Sequence, residues 1–220
     1  MAEPIMLGAG DVGESFTIEY DGFADGQTID GLSALTVFTL TGVDGTTYEF
    51  DYSVTNTSSD GVSSRISSFA FNTDPDISSA VSTGAFDTAL TGSNYPNGIG
   101  SVDVCFKAAF SGSCAGNKNG VLNGETGTGS LTLNFLSAPT SLTLDDFFVR
   151  YQSITGAGHV SSASGQQTST STSGGTSSGG TPVPAPGGML VLLAIALFGL
   201  GLVRRRPRAA SAFEGQPAFA

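Results

Sequence analysis

In the segment Tyr48-Glu49-Phe50-Asp51-Tyr52-Ser53-Val54 every second residue is large and apolar, and acids or Ser fill the gaps. Period two sets one face on a core and the other in water, which predicts a half-buried β-strand. Val102, Val104, Phe106, Ala108 and Phe110 repeat the pattern, as do Leu131, Leu133 and Phe135, and the shorter set Phe16, Ile18 and Tyr20. The run Leu35-Thr36-Val37-Phe38-Thr39-Leu40 is apolar on both faces and reads as a central strand. Leu142 and Leu144 are in phase with each other, but Phe147, Val149 and Tyr151 are one place out. Asp145-Asp146 therefore marks a bulge or a strand break.

Turn chemistry separates these runs. Val43-Asp44-Gly45 lies at hairpin spacing, and Asn97-Gly98, Asn119-Gly120 and Asn123-Gly124 are further turn signals. Roughly seven to ten such strands predict an all-β fold, a jelly-roll-like β-sandwich over residues 1–158.

After Gly158 the pattern stops. Residues 161–180 hold only Ser, Thr, Gly, Gln and one Ala. With nothing apolar to bury, such a stretch does not offset its ordering entropy. Residues 159–181 are expected to form a disordered linker spanning about 25 Å. Its hydroxyls are candidate glycosylation points. Residues 187–203 then run without a charge, as a helix about 25 Å long, the short end of what crosses a bilayer. Arg204, Arg205 and Arg206 follow at once. By the positive-inside rule they stop transfer and stay cytoplasmic, which puts the β-rich part outside and residues 207–220 in a cytoplasmic tail.

Composition agrees with short strands and many turns: 31 Gly, no Trp and 12% charged residues. The net charge of −11 is uneven. Residues 1–160 carry four basic residues, Arg65, Lys107, Lys118 and Arg150, against eighteen acidic ones. That balance excludes nucleic acid as a partner, since phosphate neutralisation needs clustered Lys and Arg.

The order of Val183, Pro184, Ala185 and Pro186, then the apolar run, then the three arginines resembles the PEP-CTERM sorting signal over residues 182–206. In that family an exosortase, an integral-membrane cysteine protease, is thought to cut near the proline motif. Family members tend to accompany exopolysaccharide, biofilm or floc matrices. The family's central Glu stands here as Ala185. The phrases Ser53-Val54-Thr55-Asn56-Thr57, Phe69-Ala70-Phe71-Asn72 and Asp146-Phe147-Phe148-Val149-Arg150-Tyr151 resemble the bodies of such proteins. The segment from Cys105 to Cys114 resembles the paired-cysteine feature of the cistern subgroup. The resemblance implies an inner-membrane-anchored precursor delivered to the cell surface or matrix. Residues 1–7 have neither the basic start nor the apolar run of an export signal, so export implies a start upstream of Met1.

In an exported protein Cys105 and Cys114 would pair, and so short a loop contributes about 2–3 kcal/mol. The alternative is two buried free thiols. No catalytic constellation stands out, and no enzymatic activity is expected. The only His, His159, lies at the edge of the low-complexity run. Asp74 with Asp76, and Asp145 with Asp146, are the nearest to a hydrolase pair. No metal ligand set is expected; Asp21, Asp25 and Asp30 lack the twelve-residue calcium-loop pattern, though a structural calcium on Asp side chains and loop carbonyls would suit so acidic a chain. Asn56-Thr57-Ser58 matches a glycosylation sequon. The alternative to a matrix protein is a membrane-anchored carbohydrate-binding module, with Tyr20, Tyr95 and Tyr151 as candidate sugar-stacking aromatics.

Overall fold

The computed structural model describes residues 3–173 apart from 60, 110, 111 and 117. They form twelve strands: β1 (Ile5–Leu7), β2 (Ser15–Ala24), β3 (Gln27–Asp44), β4 (Thr47–Asn56), β5 (Ser63–Asp74), β6 (Ser79–Ser82), β7 (Thr88–Tyr95), β8 (Gly100–Lys107), β9 (Val121–Leu122), β10 (Thr126–Asn134), β11 (Leu142–Thr155) and β12 (Ser162–Ser173). All pairings are antiparallel. Ten strands run in the order β6-β10-β4-β3-β2-β12-β11-β5-β8-β7, with β1 on β11 and β9 on β5. The two ends of this path, β6 and β7, come close together, so the sheet is nearly closed.

The closure is flattened. Phe38 on β3 meets Phe69 and Phe71 on β5 and Phe147 on β11 at ring-centroid distances of 5.7, 6.0 and 5.9 Å. Neither β5 nor β11 neighbours β3 in the sheet, so these contacts cross the interior. One wall is β10-β4-β3-β2 and the facing wall is β11-β5-β8. The period-two residues supply the filling: Tyr48, Phe50, Tyr52 and Val54 from β4, Phe16, Ile18 and Tyr20 from β2, and Leu131 and Leu133 from β10 are all buried. Edge-to-face rings in this core add to area burial.

β3 lies between β2 and β4, the central position its sequence predicts. Phe38 and Leu40 face in, whereas Leu35 and Val37 are half-buried on the outer face. On β11 the pairing with β5 shifts register between Asp145 and Phe148, and Asp146 has φ 48°. The bulge carries the extra residue that lets Leu142 and Leu144 on one side of it, and Phe147, Val149 and Tyr151 on the other, reach the same core.

The expected linker requires correction. Ser162–Ser173 is strand β12, hydrogen-bonded to β11 on one side and β2 on the other. The β-fold therefore continues past residue 158. The reason is steric. A Cβ on Gly165 would lie 2.6 Å from Val149 Cγ2 and 2.9 Å from Tyr151 Cε2. Bulky neighbours already fill the space above β12, so a central strand here needs small residues. Its ordering is offset by two hydrogen-bonded ladders, not by its own side chains. Residues 174–181, the sorting motif Val183, Pro184, Ala185 and Pro186, the apolar run and Arg204, Arg205 and Arg206 lie outside the described residues. Among the described residues no helix is long and apolar enough to cross a membrane.

Candidate functional site

Two adjoining clefts open on the outer face where irregularities in three neighbouring strands coincide. The first, of about 200 Å³, is lined by Pro4, Asp145, Asp146, Phe148, Gln166 and Gln167. The second, of about 350 Å³, lies across the same glutamines, against Asp21, Phe23, Gly26 and Thr28. β11 bulges at Asp146, β12 shifts register between Gln167 and Ser169, and β2 shifts between Asp21 and Phe23. Each irregularity breaks the flat ladder and opens concave surface. Gly22 is required at the β2 shift: a Cβ there would lie 2.4 Å from Leu32 Cδ2.

The acids are held by backbone and amide donors. Asn72 Nδ2 donates to Asp146 Oδ2 at 3.2 Å, Asp103 N–H donates to Asn72 Oδ1 at 3.1 Å, and Thr73 N–H donates to Asp103 Oδ2 at 2.8 Å. Partial burial raises the Asp145 carboxyl above its ordinary value, and the charges of Asp146, Asp103 and Asp74 raise it further. Carboxylates and carboxamides of this kind accept from and donate to hydroxyl groups, which suits a polyol surface. Among the described residues no group of three or more His, Cys, Asp or Glu is arranged to hold a metal ion.

Cys105 and Cys114 form a disulfide and are both fully buried, which decides between the two readings of the sequence. The loop they close, and Ala115 and Asn119 beyond it, are held by side-chain donors on the outer face of the sheet. Ser68 Oγ donates to Cys114 O at 2.6 Å, Ser67 Oγ to Ala115 O at 3.0 Å and Gln152 Nε2 to Ala115 O at 2.9 Å. Lys107 Nζ donates to Gly112 O at 2.5 Å, and Arg65 Nη1 to Asn119 O at 2.5 Å.

Several sequence expectations are overturned. Tyr20, Tyr95 and Tyr151 are 1%, 3% and 0% exposed, so none presents a ring for sugar stacking. Tyr20 Oη accepts from Thr36 Oγ1, and Tyr95 Oη donates to Ser68 O. They are structural residues with a polar handle in or behind the core. Asn56 is likewise fully buried, its amide donating to Ser64 O and Val121 O, so the sequon cannot be reached in the folded chain. Asp21, Asp25 and Asp30 are exposed along the β2–β3 hairpin. His159 is exposed in the β11–β12 connection.

What the sequence concealed is the pair Gln166 and Gln167. They are the only long polar side chains in a stretch of Ser, Thr and Gly, and that contrast was their one available signal. Set against known proteins, the chain matches no protein family, no curated protein and no solved structure.

Proposed function

We propose that this chain is an exported cell-surface or extracellular-matrix protein, sorted by its C-terminal PEP-CTERM-like segment and associated with exopolysaccharide. The observation that carries the reading is the order of parts in the sequence: Pro184-Ala185-Pro186, an uncharged stretch over residues 187–203, then Arg204, Arg205 and Arg206. The buried Cys105–Cys114 disulfide supports it, because such bonds persist in oxidising compartments. In this reading the β-fold is a jelly-roll-like sandwich on display. Residues 187–203 are the transmembrane helix, and an exosortase-type protease removes the tail. The fold serves as a structural module without catalysis.

A second reading, a carbohydrate-binding module, is favoured by the clefts across Gln166 and Gln167, which replace the buried tyrosines as its contact set.

The test is fractionation of the full chain in an exosortase-bearing Gram-negative host, with intact mass of the product. A surface or matrix product ending near Pro186 is expected. Replacing Arg204, Arg205 and Arg206 with Glu should scatter the protein out of the membrane fraction. A full-length, reduced chain found only in the cytoplasm would overturn the proposal. Retention of the oxidised chain on purified neutral exopolysaccharide, lost in Gln166→Ala with Gln167→Ala, would select the second reading.

A further inference from the structure

The two clefts across Gln166 and Gln167 do not end at β2. A third, of about 280 Å³, lies beyond them and is lined by Glu19, Asp21, Ser33, Leu35, Thr57 and Thr168. It shares Asp21 and Thr168 with the second cleft, as the second shares both glutamines with the first. The strand pairing explains the continuity. Phe148 on β11 stands opposite Gln166 on β12, Gln166 opposite Asp21 on β2, and Asp21 opposite Ser33 on β3. One row thus crosses four strands, three spacings or about 14 Å. Ser33 Oγ and Thr57 Oγ1, 2.9 Å apart, close its far end. A trough of that length holds a short oligosaccharide rather than a single sugar.

The lining carries one sign of charge. Asp145 and Asp146 stand at the β11 end and Asp21 and Glu19 on β2, while no Lys or Arg lines any of the three clefts. Three neighbouring acids act on the Asp145 carboxyl and no cation does. The two acidic groups lie on strands separated by β12, about 10 Å apart. One metal ion does not span that gap, and among the described residues no three acids are arranged to hold one. Cations spaced along a chain do span it. Gln167 adds an unmet acceptor. It is 9% exposed and lines both the first and the second cleft. Its Nε2 donates to Thr170 Oγ1, whereas its Oε1 accepts from no donor among the described residues. A carboxamide fixed by its nitrogen, with its oxygen free, is ready to accept from a ligand hydroxyl or ammonium. An extended peptide is a poorer fit, because β11, β12, β2 and β3 each have a partner on both sides and offer it no open edge.

We propose that this trough binds an amino-sugar polymer, whose ammonium groups meet the carboxylates on β11 and β2 while its hydroxyls meet Gln166 and Gln167. The proposal rests on the carbohydrate-binding reading of the clefts and adds the charge of the sugar. Neutral sugars bind through the same amides, more weakly, and anionic polymers are repelled.

The test is titration calorimetry of the oxidised full chain in detergent, in weakly acidic buffer where the sugar amines are charged. The probes are tetramers of glucosamine, N-acetylglucosamine and glucose, with tetralysine as a peptide of equal charge. The glucosamine tetramer should bind about tenfold more tightly than either neutral tetramer. Asp21→Asn with Asp146→Asn should erase that preference and leave the neutral tetramers unaffected; Asn tolerates the φ of 48° at position 146. Asp44→Asn with Asp87→Asn, an equal charge change at exposed acids outside the clefts, should keep it. A preference that survives in the first double variant, or falls equally in the second, overturns the proposal. So does tetralysine bound as tightly as the glucosamine tetramer, which would mark a surface for any polycation. Equal affinity for the three sugar tetramers also overturns it but leaves the carbohydrate reading standing, whereas no binding of any tetramer removes both.

Discussion

At the residue scale the most informative group is Asp145. It sits beside the β11 bulge, half-buried, with Asp146, Asp103 and Asp74 close enough to act on it. All these influences favour its protonated form, so its folded pKa lies above its unfolded one. Between the two values the folded state binds more protons, and stability falls as pH rises through that window. At neutral pH the ionised carboxylate is therefore a net cost to the fold. Asp145→Asn should raise the melting temperature at pH 7. The gain should vanish in acid below the ordinary carboxylate range, where Asp145 of the native chain is protonated. Paired thermal melts of the two chains at both pH values check this. An equal gain in acid would show that the benefit was not electrostatic. The four acids are scattered from residue 74 to residue 146, and only the pairing of β5 with β8 and β11 brings them together. Adjacent Asp145 and Asp146 marked the bulge in the sequence; Asp74 stood out only beside Asp76, and nothing marked Asp103 or joined it to the others.

At the element scale the alternating strands were legible because each carries its own burial instructions. β4, β2 and β10 expose one face and bury large side chains on the other, so period two reports their state. β12 carries no such instruction. Its inward positions hold Ala163 and Gly165, because Val149 and Tyr151 already occupy the volume. The information that orders β12 resides in β11 and β2, and a local reading of composition assigns it to a linker for that reason. The clefts were hidden likewise, since they arise from three register shifts in strands far apart in sequence. β12 is therefore indispensable despite its bland sequence. Gly165→Val should destabilise strongly, by about 3 kcal/mol or more, since overpacking of a filled site forces backbone shifts. Thr172→Val, at the exposed end of the same strand, should change stability by less than about 0.5 kcal/mol. Urea denaturation of both variants measures the difference. Equal, small effects would mean that β12 does not form a packed central strand.

At the scale of the whole molecule the first and last of the described strands meet on one partner, β11. β12 inserts between β2, near the N-terminus, and β11, and β1 also pairs with β11. The sheet cannot complete without Ser162–Ser173, so the Cys105–Cys114 staple acts on a chain whose longest-range pairings lie elsewhere. The staple closes a separation of only nine residues. By loop-closure entropy that contributes about 2–3 kcal/mol, a modest share of a typical domain's stability. The loop it closes has other anchors, because Ser68 and Lys107 donate to its carbonyls from the sheet, and Ser67 and Gln152 hold Ala115 just beyond it. Loss of the covalent bond should therefore lower stability without dismantling the fold. The double variant Cys105→Ala with Cys114→Ala should unfold in one cooperative transition at a lower urea midpoint, with the slope unchanged. Its far-ultraviolet dichroism should match that of the oxidised native chain. A variant that is unfolded in buffer would show instead that the disulfide, and not the row of donors beneath it, holds the β5–β8 wall together.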